Sequence, residues 1–476
     1  MALTLESSAA PALRGKRALV MGLGQFGGGV GVAKFLASQG ASVFITDTSP
    51  AEKLEGSIAQ LAHLPIQYRL GEHRIEDFTH ADLVIVNPAV KPSGNIYLEA
   101  ARAAGVALTS EIRLLAEHLP NRARTIGITG SAGKSTTAAM VGHVMAAARE
   151  RGQEAEDKGQ RAADRGQEAN AKAHPLPWVG RSAVHLGGNI GGSLLDRLDS
   201  IKPDDWIVLE LSSFMLEGLR EDRWSPHIAL ITNLAPNHLD WHGSFEGYRH
   251  AKQALLDSQT EDDIALLGPG AEGFMPGRSR LRTLSPDEVR SITRDLAPLL
   301  IPGEHNRLNA AMAIEVCAAA GIDRSVSAAA LAGFTGLAHR MQLVARRGGV
   351  RYFNDSKATT PEAAMLALQC FDAGTVHVIL GGYDKGADLA PLARQARGRC
   401  RAIYTIGQTG PAIADAADAA DGPAEVIRCE TLPAAVAAIT PRLSPGDVVL
   451  LSPACASWGQ FTHFEARGQA FIGLVG

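Results

Sequence analysis

The stretch Ile126–Thr137 reads Ile-Gly-Ile-Thr-Gly-Ser-Ala-Gly-Lys-Ser-Thr-Thr, and it constrains this chain more than any other. A short apolar strand runs through Gly130, Ser131, Ala132, Gly133, Lys134, Ser135 and Thr136 into a helical run at Ala138–Arg149. Such a turn is a phosphate cradle. Glycines let backbone N–H groups point at phosphate oxygens, and a helix N-terminus adds partial positive charge. A lysine ammonium reaches the terminal phosphates, and a serine hydroxyl suits Mg²⁺. The loop is a shortened Gly-x-x-Gly-Lys-Ser, because the strict pattern asks for glycine where Ile128 stands. The competing reading is a tight strand-to-helix turn with an exposed lysine.

A chain of 476 residues suggests two to four domains. With 46% hydrophobic and 20% charged residues it can bury sizeable cores. A net charge of −4 favours neither nucleic acid nor a membrane surface as partner. Cys317, Cys370, Cys400, Cys429 and Cys455 are scattered, as in reduced cytosolic proteins rather than disulfide frameworks or zinc sites. The N-terminus lacks a signal-peptide pattern, and no apolar run approaches the ~18 residues that span a bilayer. A soluble cytoplasmic protein is expected.

Residues 1–122 read as one α/β domain. The strand Arg17–Met21 leads into Gly22-Leu23-Gly24-Gln25-Phe26-Gly27 and a helix to Gln39, and the strand Ser42–Thr46 ends at Asp47-Thr48. This is a dinucleotide-type fingerprint with an acid about 20 positions on. It predicts a phosphate-bearing nucleotide at the turn without naming it; glycines serving only close helix–sheet packing are the alternative. A strand at Leu83–Asn87 ends in Asn87-Pro88-Ala89, with helices at Ile96–Ala104 and Glu111–Glu117.

Residues 123–336 form a second block. After the phosphate loop and its helix comes a seven-residue repeat, Arg151–Asp157, Lys158–Asp164 and Arg165–Ala171, inside a polar insertion at about 150–176. It has no apolar seam, and each unit carries a glycine costing roughly 1 kcal/mol in a helix. It reads as a solvated mobile insertion or a frayed extension of the preceding helix; a partner-binding segment is the alternative. Beyond Gly187-Gly188-Asn189, a strand at Trp206–Leu209 ends in Glu210, where an acid beside a phosphate loop could ligate Mg²⁺. The strand Ile228–Thr232 leads to His238 and His242, and spacing does not choose between them as metal ligands. By itself Lys252 reads as a surface lysine.

Residues 337–476 alternate strands (Arg351–Asn354, Val376–Leu380, Arg401–Ile406, Glu425–Ile427, Asp447–Leu451) with helices, a further open, mainly parallel sheet. Polar clusters at the strand ends carry Asp355, Lys357, Thr359, Lys385 and Ser457. That mix suits a small anionic ligand outside the carboxyl ends of the strands.

Three stretches taken together, Gly130–Thr137, Asn354–Thr359 and Leu451–Ser457 with Gln460-Phe461, are joined by Glu210–Phe214 and His305-Asn306-x-x-Asn309. This set resembles the Mur ligases over nearly the whole chain, and within them the glutamate-adding members. The resemblance implies three α/β domains: an N-terminal Rossmann-like domain for a UDP-sugar, a central P-loop ATPase, and a C-terminal Rossmann-like domain bringing glutamate. It implies ATP-dependent amide formation between UDP-N-acetylmuramoyl-L-alanine and D-glutamate through an acyl phosphate, with two Mg²⁺ sites and a monomer as the family default.

By resemblance Lys134 and the loop backbone hold the ATP phosphates, Ser135 and Glu210 support one Mg²⁺, and His238 binds a second. Lys252 matches a lysine that becomes carbamylated and bridges metals. Asn189 and Ser212 face the reacting alanine. Asn309, Arg340 and Asp355 hold ATP, and Lys357 approaches the phosphate undergoing transfer. Thr359, Lys385, Ser457 and Phe464 line the glutamate pocket. Gly24, Gln25, Asp47, Thr48 and Asn87 belong to UDP-sugar binding. The family loop usually has Thr-Asn where Ser131-Ala132 stands, which leaves the loop's side-chain contacts open. Rival readings are another ligase of the superfamily, disfavoured because Asp-Asn-Pro-Arg is absent; a dehydrogenase built on Gly22–Gly27, which leaves the ATP loop idle; and a non-catalytic nucleotide-binding regulator, which leaves Lys134, Glu210, His238 and Lys252 idle.

Overall fold

The computed structural model describes residues 13–24, 27–88, 90–91, 93–164, 182–294 and 296–476. Gln25 and the third repeat unit lie outside the described residues. The chain divides into two compact units. One holds the first two sheets together with Met312–Ser327; the other comprises Ile292–Ala311 and Ala328–Gly476 and holds the third sheet.

The first sheet contains β1 (Arg17–Met21), β2 (Ser42–Asp47), β3 (Gln67–Leu70), β4 (Leu83–Val86) and β5 (Ala107–Thr109), in the order β3-β2-β1-β4-β5. All its pairs are parallel. The central strands β1, β2 and β4 are near-continuous apolar runs, as in sheets covered on both faces, while the edge strands β3 and β5 are more exposed. Strand order reverses at β1, so a crevice opens beyond the ends of β1 and β4. The glycine turn fills that place. Gly22 and Gly24 take φ of +91° and +65°, which side chains resist. A Cβ on Gly29 would lie 2.3 Å from the Leu23 carbonyl, so this glycine permits the close helix–strand packing.

The second sheet holds β6 (Thr125–Thr129), β7 (Val184–Gly188), β8 (Trp206–Glu210), β9 (Ile228–Ile231), β10 (Ile264–Leu267) and β11 (Arg280–Thr283), in the parallel order β11-β10-β9-β6-β8-β7. β6 sits between β8 and β9, and the phosphate loop leaves its carboxyl end. The helix that follows spans Lys134–Asp164, longer than the sequence pattern suggests. The first two repeat units therefore continue the preceding helix, the extension that the sequence left open beside a mobile insertion. Their glutamate, alanine, lysine and glutamine content favours helix, and summed over both units it outweighs the isolated glycines.

The third sheet holds β12 (Gln342–Arg347), β13 (Val350–Asn354), β14 (Val376–Gly381), β15 (Ala402–Ile406), β16 (Glu425–Glu430) and β17 (Val448–Leu451), in the order β12-β13-β17-β14-β15-β16. β12 is antiparallel to β13, while the other pairs are parallel. The segment expected to be a connector from His339 thus becomes an edge strand. His339 and Met341 both take positive φ where the chain turns into it, at 61° and 44°.

At the end of β7, Gly188 has φ +82°, and a Cβ there would lie 2.3 Å from the Glu210 carbonyl. Replacing it by alanine strains the backbone and pushes β7 from β8. Gly188→Ala is expected to lower the thermal midpoint by several degrees, measured by denaturation followed by circular dichroism.

Candidate active site

The phosphate loop is held from three sides. Thr232 Oγ1 donates to the Ala132 carbonyl (2.7 Å), Asn233 Oδ1 accepts from Ala132 N (3.0 Å), and Asn233 O accepts from Ser131 N (3.1 Å). The Ser131 hydroxyl is 2.8 Å from both O and N of Ala235, and the Tyr248 hydroxyl donates to it at 3.2 Å. Ser131 therefore fastens the loop to the segment after β9. A Cβ on Gly130 would fall 1.9 Å from Thr232 Oγ1, which leaves glycine as the residue that fits. Lys134 opens the helix, and its Nζ donates to the Ser131 carbonyl (3.2 Å).

Beneath the loop lies Lys252, 1% exposed and so no surface lysine. Its Nζ donates to the Gly130 carbonyl (2.8 Å) and Thr129 Oγ1 (3.2 Å), and lies 4.6 Å from the centre of the Tyr248 ring. Burial first, and then the Lys134 charge, pull its pKa down to about 7 against the opposing pull of Glu210. Glu210, 1% exposed, ends β8 in register with Ile128 of β6. Its Oε1 accepts from Asn189 Nδ2 (3.2 Å), while the buried Oε2 has no hydrogen-bond partner.

His238 occupies a left-handed position (φ 52°) and sets its ring edge-on against Phe214 at 5.0 Å. Burial lowers its pKa; Asp240 opposes the shift, and the His242, Lys134 and Lys252 charges add to it. The imidazole is thus biased to its neutral, metal-ligating form. His242 is committed elsewhere: Nε2 pairs with Ser213 Oγ (2.9 Å) and Nδ1 with Glu217 (3.0 Å). Among the described residues no three His, Cys, Asp or Glu side chains form a metal cluster.

A cavity of about 630 Å³ beyond the first sheet's switch point is lined by Gly24, Asn87, Asn189 and Ser212, together with Phe214 and Trp241. Four residues expected at the substrate thus share one space. Asp47 is not among its walls: its carboxylate accepts from Gly24 N (3.1 Å) and Ser49 N (2.8 Å), shaping the turn, and the neighbouring Thr48 is exposed. Sequence reading missed Glu111, which does line the cavity, bonds Ser193, and has its pKa raised by burial. Thr232, Asn233 and Tyr248 were also missed. Only the strand-end position of Thr232-Asn233 hinted at them.

In the other unit, the carboxyl ends of β13, β14 and β17 carry Asp355, Lys357, Thr359, Lys385 and Ser457. Asp355 is buried, with Ser452 Oγ donating to Oδ2 (2.7 Å) and Met341 N to Oδ1 (3.1 Å). Lys357 Nζ lies 5.6 Å from the centre of the Phe464 ring and Lys385 Nζ 4.6 Å from that of Trp458. Asn309 is buried, with its amide donating to Asn306 Oδ1 (3.3 Å). Arg340 N donates to the Leu337 carbonyl (3.1 Å) in the turn before β12.

Three family models match this chain: "Mur ligase MurD-like, N-terminal domain" over residues 16–110, "Mur ligase middle domain" over 128–272, and "Mur ligase, glutamate ligase domain" over 339–455. The UDP-N-acetylmuramoylalanine–D-glutamate ligase of Roseiflexus sp. (strain RS-1) is 36% identical, covering 97% of this chain and 99% of the relative. The enzyme of that name from Acidobacterium capsulatum is 34% identical, covering 97% and 96%. Among solved structures, the UDP-N-acetylmuramate-alanine ligase MurC of Thermotoga maritima superposes with a TM-score of 0.56 at 20% identity, over 96% of this chain and 98% of that one. A MurF from Acinetobacter baumannii gives 0.52 at 16% identity, over 89% and 99%. At these identities the two structures speak for the fold alone.

Burial pushes the Asp355 carboxyl up to about 6, against the pull of Ser452, Met341 N and Arg340. An acid whose folded pKa is raised stabilises the fold below its unfolded pKa, and loses that contribution as pH rises through the folded value. Between about pH 4 and 6.5 the wild type should lose on the order of 2–3 kcal/mol relative to Asp355→Asn. Paired denaturant melts across that window check it, and parallel curves would refute the shift.

Proposed function

This chain belongs to the Mur ligase family and adds D-glutamate to UDP-N-acetylmuramoyl-L-alanine in peptidoglycan synthesis with ATP, and we propose that the residues described above divide that reaction between them. A carboxylate resists attack by an amine at neutral pH, because its carbon is a poor electrophile and oxide a poor leaving group. Transfer of the γ-phosphoryl group to the alanine carboxylate releases ADP and leaves an acyl phosphate. The glutamate amine then attacks the acyl carbon and loses a proton, and phosphate departs with the C–O electron pair. Alignment and charge neutralisation carry most of the catalysis.

Lys134 and the N–H groups of Gly133–Thr136 grip the β- and γ-phosphates, while the N–H groups of Ser131 and Ala132, bonded to Asn233, hold the loop in shape. Asn189 and Ser212 orient the alanine carboxylate, while Gly24 and Asn87 border the UDP-sugar cavity. Asp47 shapes the turn there through its bonds to Gly24 N and Ser49 N, and with Thr48 it belongs to the same UDP-sugar site. Asn309, Arg340 and Asp355 hold the rest of ATP, with Lys357 approaching the phosphoryl group in transfer. Thr359, Lys385, Ser457 and Phe464 receive glutamate.

The observation that carries the catalytic assignment is the partnerless, buried Oε2 of Glu210 beside the submerged Lys252. Such an oxygen calls for a cation, and the nearby donor set suits Mg²⁺. Ser135 and Glu210 would hold one ion, and His238 with a carbamylated Lys252 a second. Bound Mg²⁺ supplies neutralisation of the phosphoryl charge. A lysine with a pKa near 7 readily gives up one proton to offer free amine to CO₂; adding CO₂ releases a second proton, so the cation would become an anion able to ligate metal. We place the enzyme in the cytoplasm as a monomer acting on small molecules; among the described residues no helix is long and apolar enough to cross a membrane.

Phosphate release should require the UDP-sugar substrate and glutamate together, and D-glutamate should outpace L-glutamate at least 100-fold; faster turnover with L would overturn the pocket assignment. Lys252→Ala should lower kcat by 100-fold or more, with formate or acetate restoring part of it. Unchanged turnover in that variant would remove the metal-bridging role.

A further inference from the structure

Arg467 is the largest fully buried side chain among the described residues, 1% exposed, and the reaction as assigned above does not use it. It sits in the first turn of the helix Phe464–Val475, beneath the carboxyl ends of the third sheet. Its side-chain hydrogen bonds all end on uncharged oxygens: Nε donates to Ser356 Oγ (2.9 Å), Nη2 to the Ser356 carbonyl (2.8 Å), and Nη1 to the Cys455 carbonyl (3.0 Å). The Ser356 hydroxyl in turn donates to the Phe464 carbonyl (2.8 Å).

Each acceptor belongs to a segment bearing a residue of the glutamate pocket. Ser356 precedes Lys357 and Thr359. Cys455 precedes Ser457, and Phe464 is itself a pocket residue. The segment leading to Lys385 starts against the same guanidinium, since a Cβ on Gly382 would lie 3.2 Å from Nη1. Backbone bonds between these segments (Tyr383 N to Ala456 O at 2.8 Å, Ala454 N to Ala358 O at 2.9 Å) complete the ring around the arginine.

We propose that Arg467 is a positioning residue for the acidic amino-acid substrate: it locks the segments carrying Thr359, Lys385, Ser457 and Phe464 into one register, and its uncompensated charge favours a dicarboxylate above them. A planar fork with fixed donors suits this better than a lysine does. A buried guanidinium without a carboxylate is energetically unfavourable, and the two carboxylates of an arriving glutamate, net charge −1, relieve part of that penalty. Burial lowers its pKa only to about 10, so it stays protonated at neutral pH. A purely structural arginine predicts a general loss of fold, whereas a positioning arginine predicts an effect confined to glutamate.

This inference rests on the glutamate-pocket assignment above. The test uses the full chain, saturating ATP and UDP-N-acetylmuramoyl-L-alanine, a phosphate-release assay, and circular dichroism of each variant. Arg467→Met should raise KM for D-glutamate 30-fold or more while KM for the UDP-sugar substrate stays within threefold. Arg467→Lys, which keeps charge but loses the fork, should raise it about fivefold. A folded Arg467→Met protein with unchanged KM for D-glutamate would overturn the proposal, as would losses shared equally by both substrates. If the methionine variant does not fold, an unmoved KM for D-glutamate in Arg467→Lys overturns it. Wild-type protein that released no phosphate with D-glutamate would instead bring down the reading of the pocket itself.

Discussion

A lysine amine pressed against a backbone carbonyl is the constraint on which the catalytic part of this molecule depends. Lys252 Nζ bonds the carbonyl of Gly130 from below, while Thr232 closes the space above that residue. Loop shape is thereby set before any nucleotide arrives. An ammonium this deep is disfavoured by desolvation and by Lys134 alike, and Glu210 compensates only in part. The proposed carbamate resolves the conflict by exchanging the charge for its opposite. It also creates a new difficulty, two anions side by side, which divalent cations answer. In that account modification and metal loading are linked: each removes the electrostatic penalty of the other.

The C-terminal unit meets a related problem with a different cation. Its sheet ends present several segments that must keep register with one another, and ladder bonds stop where the strands stop. Arg467 takes over there, with donors directed to Ser356 and Cys455. Lys252 fastens one loop while readily shedding its proton, and Arg467 is proposed to fix several segments by remaining charged. The difference follows from side-chain chemistry: an ammonium gives up its proton when buried, and a guanidinium spreads its charge and keeps it.

Much of this was legible in the sequence because apolar runs and glycine turns are local signals. The runs at Arg17–Met21, Trp206–Leu209 and Val376–Leu380 declared parallel strands buried on both faces, and the loop at Gly130–Thr136 declared its place at a strand end. The edge strand Gln342–Arg347 was hidden because only one side pairs and its composition is mixed. The helix Lys134–Asp164 was cut short because a few glycines were given more weight than the helix-favouring residues around them. Lys252 read as a surface residue since burial is a tertiary property. Glu111 gave no signal at all: it stands at a helix start, where acids are common for reasons unrelated to any cavity.

The departure at Ser131-Ala132 shows how a loop keeps its shape while its side chains change. A cradle for phosphate needs backbone N–H groups at fixed angles, and what fixes the angles is secondary. Here Ser131 is fastened by Ala235 and Tyr248, and the backbone of Ala132 by Thr232 and Asn233. The clamp lies in the segment after β9 and on the helix bearing Lys252, so the same two elements fix the loop and supply the candidate ligands His238 and Lys252. Loop geometry and ligand geometry then cannot drift independently. For a reaction driven by alignment, that coupling matters more than the identity of the residues between the glycines.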